Sequence, residues 1–292
     1  MDARLFWIIL TNKMIKTYLK YLLIATSFMM LAPNSSHAGG FPVRPKRLLL
    51  SPSFSYFYAD RSWDSLRRKN LFANGGQFES LGFSLYAEYG LSRRFTLIGL
   101  LPYVKNTYAD NNSKTVSSGL TDLEVGVRYY LANINYTYYF TIQGAFVTPL
   151  YTDPNLGYRE QGAELKLAFA GSGKVLGKNC YFTLENGVRQ YFGSEGPIQD
   201  RYNGSFGLTL DRKFRHQISV SVGGFYSASS FTKFSPIQAT NKNFAFNQAS
   251  LTYGYTFDRR FSTFLTGGHF INGRNTGDGT TASVAFMYKP FR

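Results

Sequence analysis

The chain has 292 residues, with 27 Phe, 22 Tyr and 28 Gly against 10 Pro and one Cys, and a formal net charge of +15. That composition excludes a disulfide scaffold, a collagen repeat and a disordered chain. A mean hydropathy of −0.20 excludes a bundle of apolar membrane helices.

The N-terminus reads as an address. Lys16 and Lys20 precede an apolar run from Tyr21 to Leu31, and Ser36-His37-Ala38 forms a small-x-small cleavage site. The run is too short to cross a bilayer as a helix, which needs about 20 residues. Residues 1–38 are therefore expected to be a Sec-type signal peptide, with Met14 the better start, and residues 39–292 the mature domain. The mature chain stays basic, but its cations are scattered over turns and loops. No nucleic acid is expected as a partner. Anionic lipopolysaccharide or an anionic solute fits an exported protein better.

Twelve segments with alternating polarity follow, at about 48–59, 77–90, 94–104, 120–131, 137–148, 162–171, 180–192, 201–211, 216–227, 245–257, 260–271 and 279–289. The fourth is the clearest. Leu123, Val125, Val127, Tyr129 and Leu131 share one face, and Asp122, Glu124, Gly126, Arg128 and Tyr130 share the other. Only a strand turns period-2 alternation into two faces. Segments of this length suit tilted membrane strands, which need about 9–11 residues. Short connections (L-S-R-R, A-N-I-N-Y, R-K-F-R, D-R-R) alternate with the long loops Asp60–Gly76, Lys105–Ser118, Leu150–Gln161 and Ala228–Phe244. The pattern predicts an all-β, antiparallel transmembrane β-barrel of the Gram-negative outer membrane, with both termini in the periplasm. A glycine-rich turn of eight residues is expected at 171–178.

Alternation puts Glu88, Asp122, Glu124, Arg128, Glu164, Lys166, Glu185 and Arg189 on the inner face, beside Tyr86 and Tyr130. Charges of both signs there predict ion pairs across the lumen, in either a packed interior or a selective pore. Arg61, Arg67, Arg68 and Lys69 make the first long loop a basic patch for an acidic ligand or lipopolysaccharide, or simply a solvated loop. The last segment closes on Phe291, which resembles the C-terminal signal read by the barrel assembly machinery, although Pro290 and Arg292 depart from it.

Catalytic chemistry is sparse. Outer-membrane phospholipases carry a strand motif H-x-S-N-G. Here His269-Phe270-Ile271-Asn272-Gly273 puts Ile271 where the nucleophile would stand. Gly171-Ser172-Gly173-Lys174 lacks the full phosphate-loop pattern. No acidic cluster has calcium or zinc spacing. No catalytic residue, metal or cofactor is expected.

Leu101-Pro102-Tyr103-Val104, the run Gly119-Leu120-x-Asp122-Leu123-x-Val125-Gly126-x-Arg128-Tyr129-x-Leu131, and Gly144 before Thr148-Pro149-Leu150 form a set of markers. With them the chain resembles the outer-membrane barrels of the MetA-pathway-of-phenol-degradation family, best over residues 77–150. The resemblance implies a monomeric barrel admitting small, often hydrophobic or aromatic molecules. Two functions follow as expectations: a passive channel for small solutes, aromatic or anionic, or a non-conducting barrel whose basic loops hold lipopolysaccharide or a partner protein.

Overall fold

The computed structural model describes residues 41 and 43–290. The expected leader 1–38 and Phe291 lie outside the described residues.

Strands account for most of the described chain, because β-branched and aromatic residues alternate with Gly, Ser and Thr along it. They are β1 (Leu48–Trp63), β2 (Lys69–Leu71), β3 (Gln77–Gly90), β4 (Phe95–Ala109), β5 (Lys114–Leu120), β6 (Asp122–Ile134) and β7 (Tyr138–Pro149). Then come β8 (Gly162–Val175), β9 (Lys178–Tyr191), β10 (Ile198–Thr209), β11 (His216–Ala228), β12 (Phe244–Thr256), β13 (Phe261–Arg274) and β14 (Thr276–Tyr288). Twelve of these form the wall, each antiparallel to its neighbours; β2 pairs only with β1, and β5 only with β4.

Two junctions close the barrel. The first and last strands pair from Leu50↔Tyr288 to Trp63↔Thr276. Strands β9 and β10 lie side by side, with the Thr183 and Ser205 hydroxyls 2.6 Å apart and Thr209 donating to the Asn179 carbonyl at 3.0 Å. A closed wall has no edge, so every strand can satisfy its backbone within hydrocarbon.

The outer face is apolar and exposed, including Phe54, Leu81, Phe83, Val125, Val127 and Leu165. In water such a surface would drive aggregation. In a bilayer it is the required surface. The turns 91–94, 135–137, 176–177, 210–215 and 257–260 lie at the same end of the barrel as the start of β1 and the end of β14. The long connections gather at the other, extracellular end.

Three expectations need correction in detail. At 171–178 the strands run on to Val175 and restart at Lys178, leaving a two-residue turn at Leu176–Gly177 with φ of 48° and 75°. Positive φ at both central positions suits a type I′ hairpin, whose twist matches the strands. Gly171 extends the strand because it has no side chain; a Cβ there would strike the Phe182 and Tyr138 rings on the outer face. The first two long loops are also partly strand. β1 continues to Trp63 and pairs with β2, and β4 continues to Ala109 and pairs with β5. Asp64 starts the first hairpin turn, its Oδ1 accepting from the Leu66 and Arg68 amides at 2.8 Å. Asp110 does the same for Asn112 and Ser113 at 2.8 and 2.7 Å. Local Asx turns of this kind hold two strands together beyond the membrane.

Candidate functional site

The lumen wall has two unlike arcs. The first is charged and spans β3, β6, β7, β8, β9 and β10. Arg128 donates to Glu88 at 2.9 Å and to Gln143 at 3.2 and 3.1 Å, and the Tyr86 hydroxyl donates to Glu88 at 2.5 Å. Arg189 donates to Glu164 at 2.7 Å and also binds Glu124. Arg201 lies 2.5 Å from Glu164 and 3.8 Å from Glu124. Lys166 lies 3.3 Å from Glu164 and 4.0 Å from Glu185. Nearer the mouth, the Tyr191 hydroxyl donates to Asp122 at 3.0 Å.

Burial makes these pairings obligatory. Glu88 has no exposed surface, Glu164 is 3 % exposed and Arg189 is 4 % exposed. A lone ion so deeply buried is costly, and each is stable only with its partners in place. Glu164 is the hub, holding three cations from β8, β9 and β10. Parity along β10 also puts Arg201 on the polar face, although the sequence reading passed over it. Its signal was its phase with Asn203 and Ser205.

The second arc is aromatic. Phe225 of β11, Phe246 of β12, Phe270 of β13, Phe57 of β1 and Phe78 of β3 follow one another around the inner wall. Their successive ring centroids are 5.2, 4.2, 5.4 and 5.9 Å apart. Phe246 and Phe270 are stacked within 8°. Strand β14 runs between β13 and β1, and its inward residue at that level is Gly279; a Cβ there would collide with the Phe57 ring. The missing side chain is what lets Phe57 and Phe270 meet. Arg201 joins the two arcs, its guanidinium 4.8 Å from the Phe225 ring. Sequence reasoning did not reach this arc, because its five rings come from five strands and only the pairing of those strands brings them together.

Infolded loops cover the extracellular mouth. Lys242 of the β11–β12 loop reaches Glu160 of the β7–β8 loop at 3.2 Å and Glu195 of the β9–β10 loop at 3.7 Å. The Tyr158 hydroxyl donates to the Asn241 carbonyl at 2.7 Å and accepts from Gln199 at 3.2 Å. Burial pushes the Tyr158 hydroxyl well above its ordinary pKa, so it stays a donor. Ile237 of the same loop packs on Ala59, Phe72 and Phe78. Beneath the loop lies a chamber of about 270 Å³ against the aromatic arc.

The first-loop cations are not equivalent. Lys69 lies 2.8 Å from Asp278 and 4.6 Å from the Trp63 ring centre. Arg61 lies beside Asp60 at 4.0 Å. Arg67 and Arg68 stand exposed at the hairpin tip. His269 faces outward, 3.0 Å from the Thr280 hydroxyl, and Ile271 is exposed on the outer face.

No family model matches the chain, and no curated protein sequence matches it. Among solved structures, an outer-membrane channel from Pseudomonas putida F1 superposes with a TM-score of 0.70 at 12 % identity, covering 88 % of this chain and 100 % of that one. The two share a fold. The translocator domain of the autotransporter NalP from Neisseria meningitidis gives 0.47 at 11 % identity, over 95 % of this chain and 97 % of that one. The NanC porin gives 0.48 at 9 % identity, over 82 % and 98 %. At these identities the likeness is one of architecture, and the barrel's chemistry rests on its own residues.

Proposed function

We propose that this protein is a narrow outer-membrane channel through which small solutes diffuse passively. The observation that carries the reading is a lumen walled by fixed ion pairs on one side and aromatic rings on the other. Twelve strands enclose more room than the side-chain-filled eight-stranded barrels and less than the open sixteen-stranded porins. Side chains across that width, and loops over the mouth, restrict passage to small molecules. The fold shared with the P. putida channel supports the reading. So does the resemblance of residues 77–150 to the MetA-pathway-of-phenol-degradation barrels, which favours aromatic solutes.

The other assignments follow from this one. The nine charged lumen residues, Arg201 among them, brace the pathway. Arg67 and Arg68 at the rim attract anions, either solutes or lipopolysaccharide phosphates. Residues 1–38 serve as the export signal, and the C-terminal segment as the signal for the barrel assembly machinery. Catalysis is not part of the reading, since Ile271 occupies the only phospholipase-like position and points outward.

Reconstitution in planar bilayers tests the proposal. The protein should give small, discrete conductance steps. Porin-sized steps would mean the lumen is not narrowed. Complete silence would favour the non-conducting barrel.

A further inference from the structure

The outer wall changes character around the barrel. On one side Val125 of β6, Phe146 of β7 and Leu165 of β8 present exposed apolar side chains to lipid. Across β9 to β13 the wall turns polar. Arg189, Arg201 and Phe246 point inward, so parity turns Asn186, Asp200, Tyr202 and Asn247 outward. These groups lie at hydrocarbon depth. Asn186 stands between exposed Leu184 and Val188, and exposed Ile198 separates Asp200 from the outer rim.

The polar groups are joined in two short networks. The Asn186 amide donates to Asp200 at 2.7 Å. The Tyr202 hydroxyl bonds Asn247, whose amide donates to Asn272 at 2.9 Å. Gly224 lies between Tyr202 and Asn247, and a Cβ there would strike both, so the surface stays flat. An amide partner does not remove the charge of Asp200, and a carboxylate on the lipid face costs more the deeper it lies. Hydrogen-bonding groups beside small residues are the features by which membrane-spanning elements pack on one another.

A second copy of the chain has the charge to match. A twofold axis along the membrane normal sets β10 of one copy against β13 of the other at equal height. The pairing row of Gly204 passes Val222 and Ala249 to His269, then Thr280, Tyr58 and Glu79 to Thr107, near the outer end of β4. The row therefore climbs from β10 to β13, by about 9 Å over three strands at about 4.8 Å spacing and about 40° tilt. Asp200 lies above Gly204 on β10, by about 10 Å at the same tilt. His269 is thus level with Asp200. Its ring faces outward and is more than half exposed, 3.0 Å from the Thr280 hydroxyl and 3.7 Å from Asp278.

We propose that the barrel pairs with a second copy of itself through β9–β13, with Asp200 of each copy accepting from His269 of the other. Five strands at about 4.8 Å and an apolar band about 25 Å tall give about 600 Å² per copy. The pair buries about 1,200 Å², the lower limit for a specific interface. So small a contact is read in the membrane and not in detergent. Such a pair departs from the monomer that the family resemblance implies, and it stands whether or not the lumen conducts.

Disulfide cross-linking in isolated outer membranes tests the pairing, after Cys180 is changed to Ser. Ala249→Cys, near the axis on β12, should give an oxidised band of twice the mass. Val125→Cys, on the apolar side, should not. In the Ala249→Cys protein, Asp200→Ala and His269→Ala should each lower the dimer yield several-fold. The exchange of Asp200→His with His269→Asp should restore it. The two positions are three strands apart within one copy, so only contact between copies explains that rescue. Heat-modifiable gel mobility confirms that each variant has folded. No dimer from Ala249→Cys, equal yields from both cysteines, or linkage to a different protein would overturn the pairing. A folded exchange variant that fails to recover the yield would overturn it as well.

Discussion

Arg189 carries the sharpest consequence of any single side chain. It is 4 % exposed and ties Glu124 on β6 to Glu164 on β8. Glu164 keeps Arg201 and Lys166 when Arg189 is removed, but Glu124 keeps only Arg201 at 3.8 Å. Arg189→Met should therefore destabilise the folded barrel by about 3–5 kcal/mol, the usual consequence of leaving one partner of a buried pair. The readout is the temperature at which the compact gel band converts to the unfolded one. Adding Glu124→Gln should recover part of the loss, since a neutral amide is cheaper to bury. A single variant that melts with the wild type would show these ions to be hydrated.

Elements are governed by phase and by turns. Val127 faces lipid, and its neighbour Arg128 is buried against Glu88 and Gln143. Val127→Arg should block membrane insertion, at about 2–4 kcal/mol for a cation near the midplane. Arg128→Ala should insert but melt early, because Glu88 is left without its cation. If both variants insert equally and melt equally, the assigned faces are wrong. In the β8–β9 turn, Leu176 is almost fully exposed at φ 48°, a conformation that favours Asn. Leu176→Asn should stabilise the hairpin by about 1 kcal/mol, measurable as slower unfolding in urea. Two other periplasmic turns respond to pH. Asp211 accepts from the Arg215 and His216 amides at 2.9 and 2.8 Å, and Asp258 from those of Arg260 and Phe261 at 2.6 and 2.9 Å. These bonds hold both carboxyls below their ordinary pKa. A depressed carboxyl stabilises the fold above its unfolded pKa, and that contribution fades as pH falls below about 4. Changing both to Asn should flatten the acid limb of the stability profile; an unchanged limb would rule these turns out as its source.

The whole molecule is a rigid wall with a covered mouth, and the cover hangs on few contacts. Lys242 joins three loops through Glu160 and Glu195. Lys242→Ala should leave the wall intact and raise single-channel conductance or its open-state noise. Identical traces from variant and wild type would show that the loops do not limit flow. Neutralising Arg67 and Arg68 should reduce anion preference at low salt and change little at high salt. The reason is screening, over about 8–10 Å at moderate ionic strength. Preference that survives both changes would have to arise within the lumen. Intact-mass analysis of the outer-membrane protein should find Gly39 at the N-terminus, and a start before Leu31 would rule out the leader.

The sequence by itself determined the class of fold and the number of wall strands, because a period-2 pattern and the length of each segment are local properties. It also carried the parity of Glu88, Arg128, Glu164 and Arg189, since parity alone assigns a residue to a face. It could not show which charges meet. Arg189 joins Glu124 only because β6, β8 and β9 are staggered in a closed wall, and stagger is set by pairing among strands far apart in the chain. The aromatic arc was beyond it for the same reason. Phe57, Phe225, Phe246 and Phe270 stand in four segments far apart in the chain, and only pairing across β11, β12, β13, β14 and β1 brings them onto one inner surface. The mouth loops show the limit most plainly. Lys242 and Glu160 are remote in sequence, and no periodicity links them; the closed barrel brings their loops together over one opening.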